Sequence, residues 1–374
     1  MLLVTRKNLF SEPTRLAISV GGVAVSVLLI TFLLALYRGW NEKVGCFIEN
    51  VEADIWIARE GTNDFFRAAG SILPMERSEE LSTLPAVERW SPLIVRPMAA
   101  ITKDGTEMNV QLVGYDTQSG MGGPVRIESI EKGKEFPGPG EVIVDEALSR
   151  RYGVDIGDTI AATGRDWRVI GKSSGGDFVA SQTIFVALDE AQEALEMDGL
   201  VNLFLLRLRD PSQREQVAED IESAQPGISA IASDDFAAAT RHRILSNIVP
   251  ILMVVLILAF TVGLVVAALT IYTATVEKAR EYGILKAMGF TNGYLYRVVF
   301  EQSLVTGILG FVLGAGLTFV LGPFTQELVP QFVVLVRWQD VLGVAGFTLL
   351  MVLIAAYVPT RRLAAIDPVE VFKA

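Results

Sequence analysis

The stretch ILSNIVPILMVVLILAFTVGLVVAALTIYTATV, residues 244–276, decides the fold. It holds no Asp, Glu, Lys or Arg across 33 residues. A helix of that length reaches ~50 Å at ~1.5 Å per residue, against a hydrocarbon core of ~30 Å. The run is therefore a membrane span with ~20 Å to spare. The surplus reads as a stalk projecting outward, with Pro250 near the crossing and a buckle expected there. The other reading of Ile244 to Pro250 is a loop. Working outward, Leu16 to Tyr37, Gln302 to Gln326 and Val341 to Thr360 are uncharged too, and each is long enough to cross. Roughly 200 residues separate the first run from the second. The chain reads as an α-helical membrane protein with four transmembrane helices and a large extracytoplasmic α+β domain inserted after the first.

Lys and Arg near the spans set the orientation. Arg6, Lys7 and Arg15 precede the first span; Lys278, Arg280, Lys286 and Arg297 join the second to the third; Arg361, Arg362 and Lys373 close the tail. With four spans all three groups share one side. The short connection on the other side, Glu327 to Asp340, offers only Arg337. Both termini are thus expected in the cytoplasm of a multi-pass plasma (inner) membrane protein. The expected organisation is a cytoplasmic amphipathic segment at 1–15, spans at 16–37, 302–326 and 341–360, and an extracytoplasmic domain at 38–243. Residues 244–276 form stalk and second span, 277–300 a cytoplasmic helical connection, and 361–374 a cytoplasmic tail.

Charge narrows the partners. Residues 41–243 carry 20 Lys/Arg against 35 Asp/Glu, a balance of −15, and the remainder of the chain is +4. An acidic exterior argues against nucleic acid and against hugging an anionic leaflet. The first apolar run is too long for a signal peptide and has no small-x-small cleavage site behind it, so it reads as an anchor. Cys46 is the single cysteine, which allows no internal disulfide. It reads as a spare outward-facing thiol. With one Cys and one His, His242, no Cys/His metal site or Cys–His pair can be built. Catalytic residues, metal ligands and cofactors are expected to be none. Gly171-Lys172-Ser173 imitates a phosphate loop, but the Gly required five positions earlier is Asp166. That tripeptide reads as a turn, and the chain is not expected to hydrolyse ATP itself.

The domain between the first two spans reads as two similar halves around an insert. Ala53–Ala58 is a strand, Ser78–Leu84 a short helix capped by Ser78, and Pro92–Ile101 and Glu107–Val113 are extended. Later, Leu203–Leu208 is a strand, Asp210-Pro211-Ser212 opens a helix through about Ala224, and Ile228–Ile231 is extended. Strand–helix–strand twice suggests a ferredoxin-like unit from 51–115 and 200–235. The insert, 116–198, reads as a mostly-β subdomain. Met121–Gly140 is loop, and Glu141–Val144, Asp158–Ala161, Trp167–Ile170 and Thr183–Val186 are strands. Asp145–Arg151 and Leu188–Met197 are short helices.

Small residues stripe the spans. Gly21 and Gly22 in the first and Gly310 and Gly314 in the third allow close helix approach, within the chain or between copies. Four helices are few to enclose a transport path, and a homodimer of eight is the better expectation.

The connection after the second span reads Glu277-Lys278-Ala279-Arg280-Glu281-Tyr282-Gly283-Ile284-Leu285-Lys286-Ala287-Met288-Gly289. As a helix it places Tyr282, Leu285 and Met288 on one face by i, i+3 spacing, flanked by Lys278, Glu281 and Lys286. Gly289 would end it. A short amphipathic helix held between two spans is a lever that a partner can grip. On physics alone, a helix lying passively on the lipid interface fits as well.

This segment resembles the coupling helix of MacB/FtsX-like ABC permeases, also called type VII. Arg280-Glu281-Tyr282-Gly283 and Lys286-Ala287-Met288-Gly289 carry the match, and Glu301 resembles the family's acidic residue entering the third span. Where Tyr282 stands the family usually has Ile. The tail Pro359 to Glu370, Thr14-Arg15-Leu16 and Gly140 to Val144 are also similar. The resemblance implies ATPase-coupling roles for Glu277, Arg280, Glu281, Tyr282, Gly283, Leu285, Lys286, Met288 and Gly289. It implies two copies of a separate cytoplasmic ABC ATPase as partner, pairing of two permeases, and mechanotransmission to the outer domains, and it admits a periplasmic adaptor. Membrane lipid surrounds the spans. The first functional reading is the permease subunit of an exporter pushing a hydrophobic or peptide-like substrate outward. The alternatives are lipoprotein or lipid extraction, and a non-transporting signalling permease that activates a cell-wall hydrolase.

Overall fold

The computed structural model describes residues 13–176, 182–329 and 332–364. Its helices are α1 (Pro13–Lys43), α2 (Cys46–Asn50), α3 (Arg77–Ser82), α4 (Glu146–Tyr152), α5 (Leu188–Ala194), α6 (Arg214–Ala224), α7 (Ser233–Glu277), α8 (Ala279–Ala287), α9 (Asn292–Leu328) and α10 (Trp338–Ala364). The strands are β1 (Ile55–Arg59), β2 (Leu73–Pro74), β3 (Val87–Thr102), β4 (Glu107–Tyr115), β5 (Arg126–Ile130) and β6 (Glu141–Asp145). They continue with β7 (Thr159–Ala162), β8 (Arg165–Ser174), β9 (Gln182–Ala187), β10 (Leu200–Val201), β11 (Leu203–Leu208) and β12 (Ile228–Ala232). The chain divides into a helical unit, comprising the residues up to Gly39, Ile248–Glu327 and those from Val334, and a sheet unit of Trp40–Asn247 and Leu328–Val333.

In the sheet unit ten strands form one sheet. Four of them, in the spatial order β12-β1-β11-β3, are antiparallel throughout. With α3 crossing between β1 and β3 and α6 between β11 and β12, this is the ferredoxin-like unit. The register is tight: Ile55, Trp56 and Ile57 of β1 face Leu206, Leu205 and Phe204 of β11 on one side and Ala232, Ile231 and Ala230 of β12 on the other. The inserted strands extend the same sheet. β4 pairs antiparallel with β3 and parallel with β9, and β6, β8 and β5 follow in that order.

Both faces of the sheet's central strands are covered, so β1, β9 and β11 are apolar runs rather than simple alternations. Ile55 and Ile57 point into one core, which also holds Leu81 of α3, Leu148 of α4, Ala191 of α5 and Ile221 of α6. Trp56 and Ala58 point into the other, with Phe47 and Ile48 of α2, Phe65 and, from the first turns of α7, Phe236 and Ala237. Alternate residues of one strand thus feed two cores.

The sheet corrects three readings from the sequence. Gly171-Lys172-Ser173 is not a turn but lies inside β8. Gly171 is there because a Cβ would stand 3.1 Å from the carbonyl oxygen of Ser129 on the neighbouring β5. Met121–Gly140 is not all loop, for it contains β5, an edge strand whose residues are nearly all exposed. Exposure on both faces removes the apolar alternation that would have marked it. Ser78 is not a cap: α3 begins at Arg77 without a side-chain cap, and Ser78 is buried. The carboxylate of Asp145, by contrast, does cap α4, accepting from the Leu148 amide.

In the helical unit α1, α7, α9 and α10 are each long and apolar enough to cross a membrane. Their common core holds Val23, Val27, Ala259, Ala267, Ala315, Val344, Met351 and Ala355. Glycine sets the closeness of the packing. A Cβ on Gly22 would collide with Val266, one on Gly310 with Val23, and one on Gly314 with the Ala24 carbonyl and Val27. Three of the four glycines singled out in the sequence therefore serve helix contacts within the chain. A Cβ on the fourth, Gly21, meets no atom within 4 Å. The stretch from Ile244 to Pro250 is helix, with Pro250 inside α7, so the loop reading is set aside.

Candidate functional site

The connection between the second and third apolar helices is built for a defined bend. The α7 helix stops at Glu277, and Lys278 leaves helical geometry with ψ of 8° before α8 begins. At the far end Gly289 adopts φ of +93°, a value that glycine takes without strain. Its amide donates to the Lys286 carbonyl at 2.9 Å, and the Phe290 amide donates to the Leu285 carbonyl at 3.1 Å. This pair of bonds with a left-handed glycine is the Schellman ending. Two residues on, Thr291 accepts from Tyr294 and α9 starts.

One side of α8 is internal. Tyr282 is 4% exposed and forms a cluster with Leu295, Val299 and Ala356, with Ile271, Leu285 and Tyr294 packed around it. Burial, helped by the nearby Glu281 carboxylate, pushes the Tyr282 phenol up to about 12. Gly283 is buried as well. The open side is different: Arg280 and Glu281 are exposed, Ile284 is 40% and Met288 63% exposed, and Phe290 follows at 41%. This corrects the expected face. Tyr282, Leu285 and Met288 do not share one side, because six residues at ~100° each leave Met288 ~120° away from Tyr282. Ile284 and Met288, at i and i+4, form the exposed apolar pair instead. Tyr282 and Leu285 anchor the helix to its own chain.

Glu277, the first residue of the expected coupling set, is tied back to the first apolar helix. Its carboxylate accepts from Arg15 at 2.5 Å. Glu301 accepts from Arg297 one turn earlier on α9 at 3.0 Å. At the opposite end of the helical unit, Arg38 of α1 forks onto Asp340 at the start of α10, with Nη2 at 3.0 Å and Nε at 3.2 Å.

The other end of α7 is rooted in the sheet unit. Phe236 stacks on Trp56 with ring centroids 5.1 Å apart and planes 16° apart. The Trp56 indole donates to Ser233 Oγ at 3.1 Å, and Ser233 donates to the Ala53 carbonyl. Thr240 Oγ1 accepts from the Phe65 amide at 3.0 Å. Arg241 pairs with Glu49, and Arg243 lies 3.6 Å from Asp64. Sequence reading missed this root, since it began the helix at Ile244. Its signal was present in the Ser233-Asp234-Asp235 start, a residue type common at helix beginnings followed by two acids in the first turn. His242 is exposed on the same helix. Among the described residues no cluster of His, Cys, Asp or Glu could hold a metal ion. The tail residues from Ala365, part of the matching terminal motif, lie outside the described residues.

Residues 16–224 match the model of the MacB-like periplasmic core domain, and residues 240–368 that of the FtsX-like permease C-terminal domain. An uncharacterized ABC transporter permease of Mycobacterium tuberculosis is 21% identical over 100% of this chain and 99% of its own length. One from Methanocaldococcus jannaschii is 23% identical over 59% of this chain and 58% of its own. Another, YknZ of Bacillus subtilis, is 22% identical over 43% of this chain and 44% of its own. Among solved structures, the periplasmic region of MacB from Actinobacillus actinomycetemcomitans aligns at 13% identity and a TM-score of 0.38. That alignment covers 50% of this chain and 92% of that one.

Proposed function

The chain belongs to the MacB/FtsX-like family of ABC transporter permeases, and on that premise we propose that it is a lever between a cytoplasmic ATPase and a domain outside the membrane. The observation that carries this reading is α7, one helix of 45 residues. Its first turns are bolted into the aromatic core of the sheet unit and its last residue abuts α8. A helix of this length measures ~68 Å, about twice a hydrocarbon core. A push at α8 acts on one helix that stays helical through Pro250, where only the i→i−4 bond that proline cannot donate is missing.

In this reading α8 docks on the ATPase through Arg280, Glu281, Ile284 and Met288, while Tyr282, Gly283, Leu285 and the Gly289 ending hold it in place. The Lys/Arg bias puts α8 and both termini in the cytoplasm and the sheet unit outside. Two copies pair with two ATPase subunits. The four apolar runs contain no Asp, Glu, Lys or Arg, so no charged path marks an aqueous route through the spans. That favours a hydrophobic or peptide-like substrate moved at or beyond the outer leaflet.

The test is reconstitution. The purified chain alone is expected to show no ATPase activity, and co-expression with an ABC ATPase that carries a complete phosphate loop should yield a complex that turns over ATP. Contaminant-free hydrolysis by the chain alone would contradict the reading, as would failure of every neighbouring-gene ATPase to associate with it.

A further inference from the structure

The first and second apolar helices meet along one antiparallel seam. Near its middle Gly263 faces Ser26, and a Cβ added to that glycine would reach Ser26 Cβ at 2.7 Å. One turn along, Gly22 leaves room only for Val266. The seam closes at its inner end with Arg15 and Glu277, whose side chains are 25% and 57% exposed. Glu277 is also the last residue of α7, one position before the bend into α8. Both helices continue into the sheet unit, α1 through Trp40–Lys43 and α7 through Ser233–Asn247.

We propose that Arg15 and Glu277 are positioning residues of the lever: their ion pair locks the inner ends of α1 and α7, so that a displacement of α8 moves both helices together. The glycine contacts set how closely the two helices approach, and the charged clasp ties their ends together beside the bend. Glu277 accordingly acts on α1 and is not a docking residue for the ATPase. This rests on the lever reading above.

The test uses the full chain with its ATPase in lipid nanodiscs, where nucleotide reaches one face and trypsin the other. The readout is the difference in the rate of tryptic cleavage within residues 40–247 between the vanadate-trapped and the nucleotide-free complex. Arg15→Glu and Glu277→Arg should each shrink that difference about fivefold while the ATPase still co-purifies, the scale of a partly exposed ion pair replaced by like charges. Arg15→Lys should keep most of it, and the exchange Arg15→Glu with Glu277→Arg should restore it. Membrane levels of each variant show whether it folds. If the single variants retain the full difference, or if the exchange restores nothing while Arg15→Lys is folded and active, the clasp does not exist as a coupling device. A wild-type complex with no nucleotide-dependent difference overturns the lever itself, and the clasp falls with it.

Discussion

Ile284 and Met288 are the residues through which α8 is proposed to dock. They are the exposed apolar pair on a helix whose other side is committed to Tyr282, Leu285 and Leu295. Met288→Asp should leave the amount of folded protein unchanged and weaken ATPase capture about tenfold, the loss expected when an apolar contact worth ~1–2 kcal/mol is replaced by a charge. Leu285→Asp should act differently. It places a carboxylate beside the Tyr282 cluster at a cost of several kcal/mol, and lowers thermal stability and expression before it touches binding. Pull-down with the ATPase, alongside a thermal unfolding curve for each variant, separates the two effects. Wild-type capture by Met288→Asp would move the docking surface elsewhere. The difference between the two positions was not legible from i, i+3 spacing, because that spacing holds over one step and drifts over two.

At the scale of elements, the root of α7 makes a sharper claim than its membrane-spanning part. Phe236 is 0% exposed and stacks on Trp56, which is 0% exposed as well. Phe236→Ala should cost the sheet unit about 3–5 kcal/mol, as aromatic truncations in cores do. It should appear as a lower unfolding midpoint followed by Trp fluorescence in detergent, while the four apolar helices still insert. An unchanged midpoint would mean that the helix merely rests against the sheet. Elements that bury apolar area in a regular rhythm were readable. β11 lies at Leu203–Leu208 as its composition suggests, and the uncharged runs fall within α1, α7, α9 and α10. What escaped were elements whose residues answer to a neighbour. β5 is exposed on both faces and shows itself only through pairing with β8, and Gly171 looks like a turn until the strand beside it is known. The root of α7 was hidden for a related reason. Ser233–Arg243 is polar enough to pass for a loop, and its apolar residues, Phe236 and Ala237, are spent on a core assembled from β1 and α2.

At the scale of the whole molecule, α7 is one 45-residue helix, proposed above to carry motion between α8 and the core of the sheet unit. The family assignment and the ion pairs are compatible with other uses of the same parts; rigidity of α7 is not. The direct measurement interrupts it. Three glycines inserted after Asn247, where the sheet unit gives way to the helical unit, add flexibility and withdraw about 1 kcal/mol of helix preference apiece. They touch neither α8 nor the Phe236 root. Vanadate trapping with tryptic cleavage then reads the response of residues 40–247. The inserted variant should still bind its ATPase and still turn over ATP, but cleavage should no longer differ between the trapped and nucleotide-free complexes. A full nucleotide-dependent difference in the presence of the glycine hinge would contradict it.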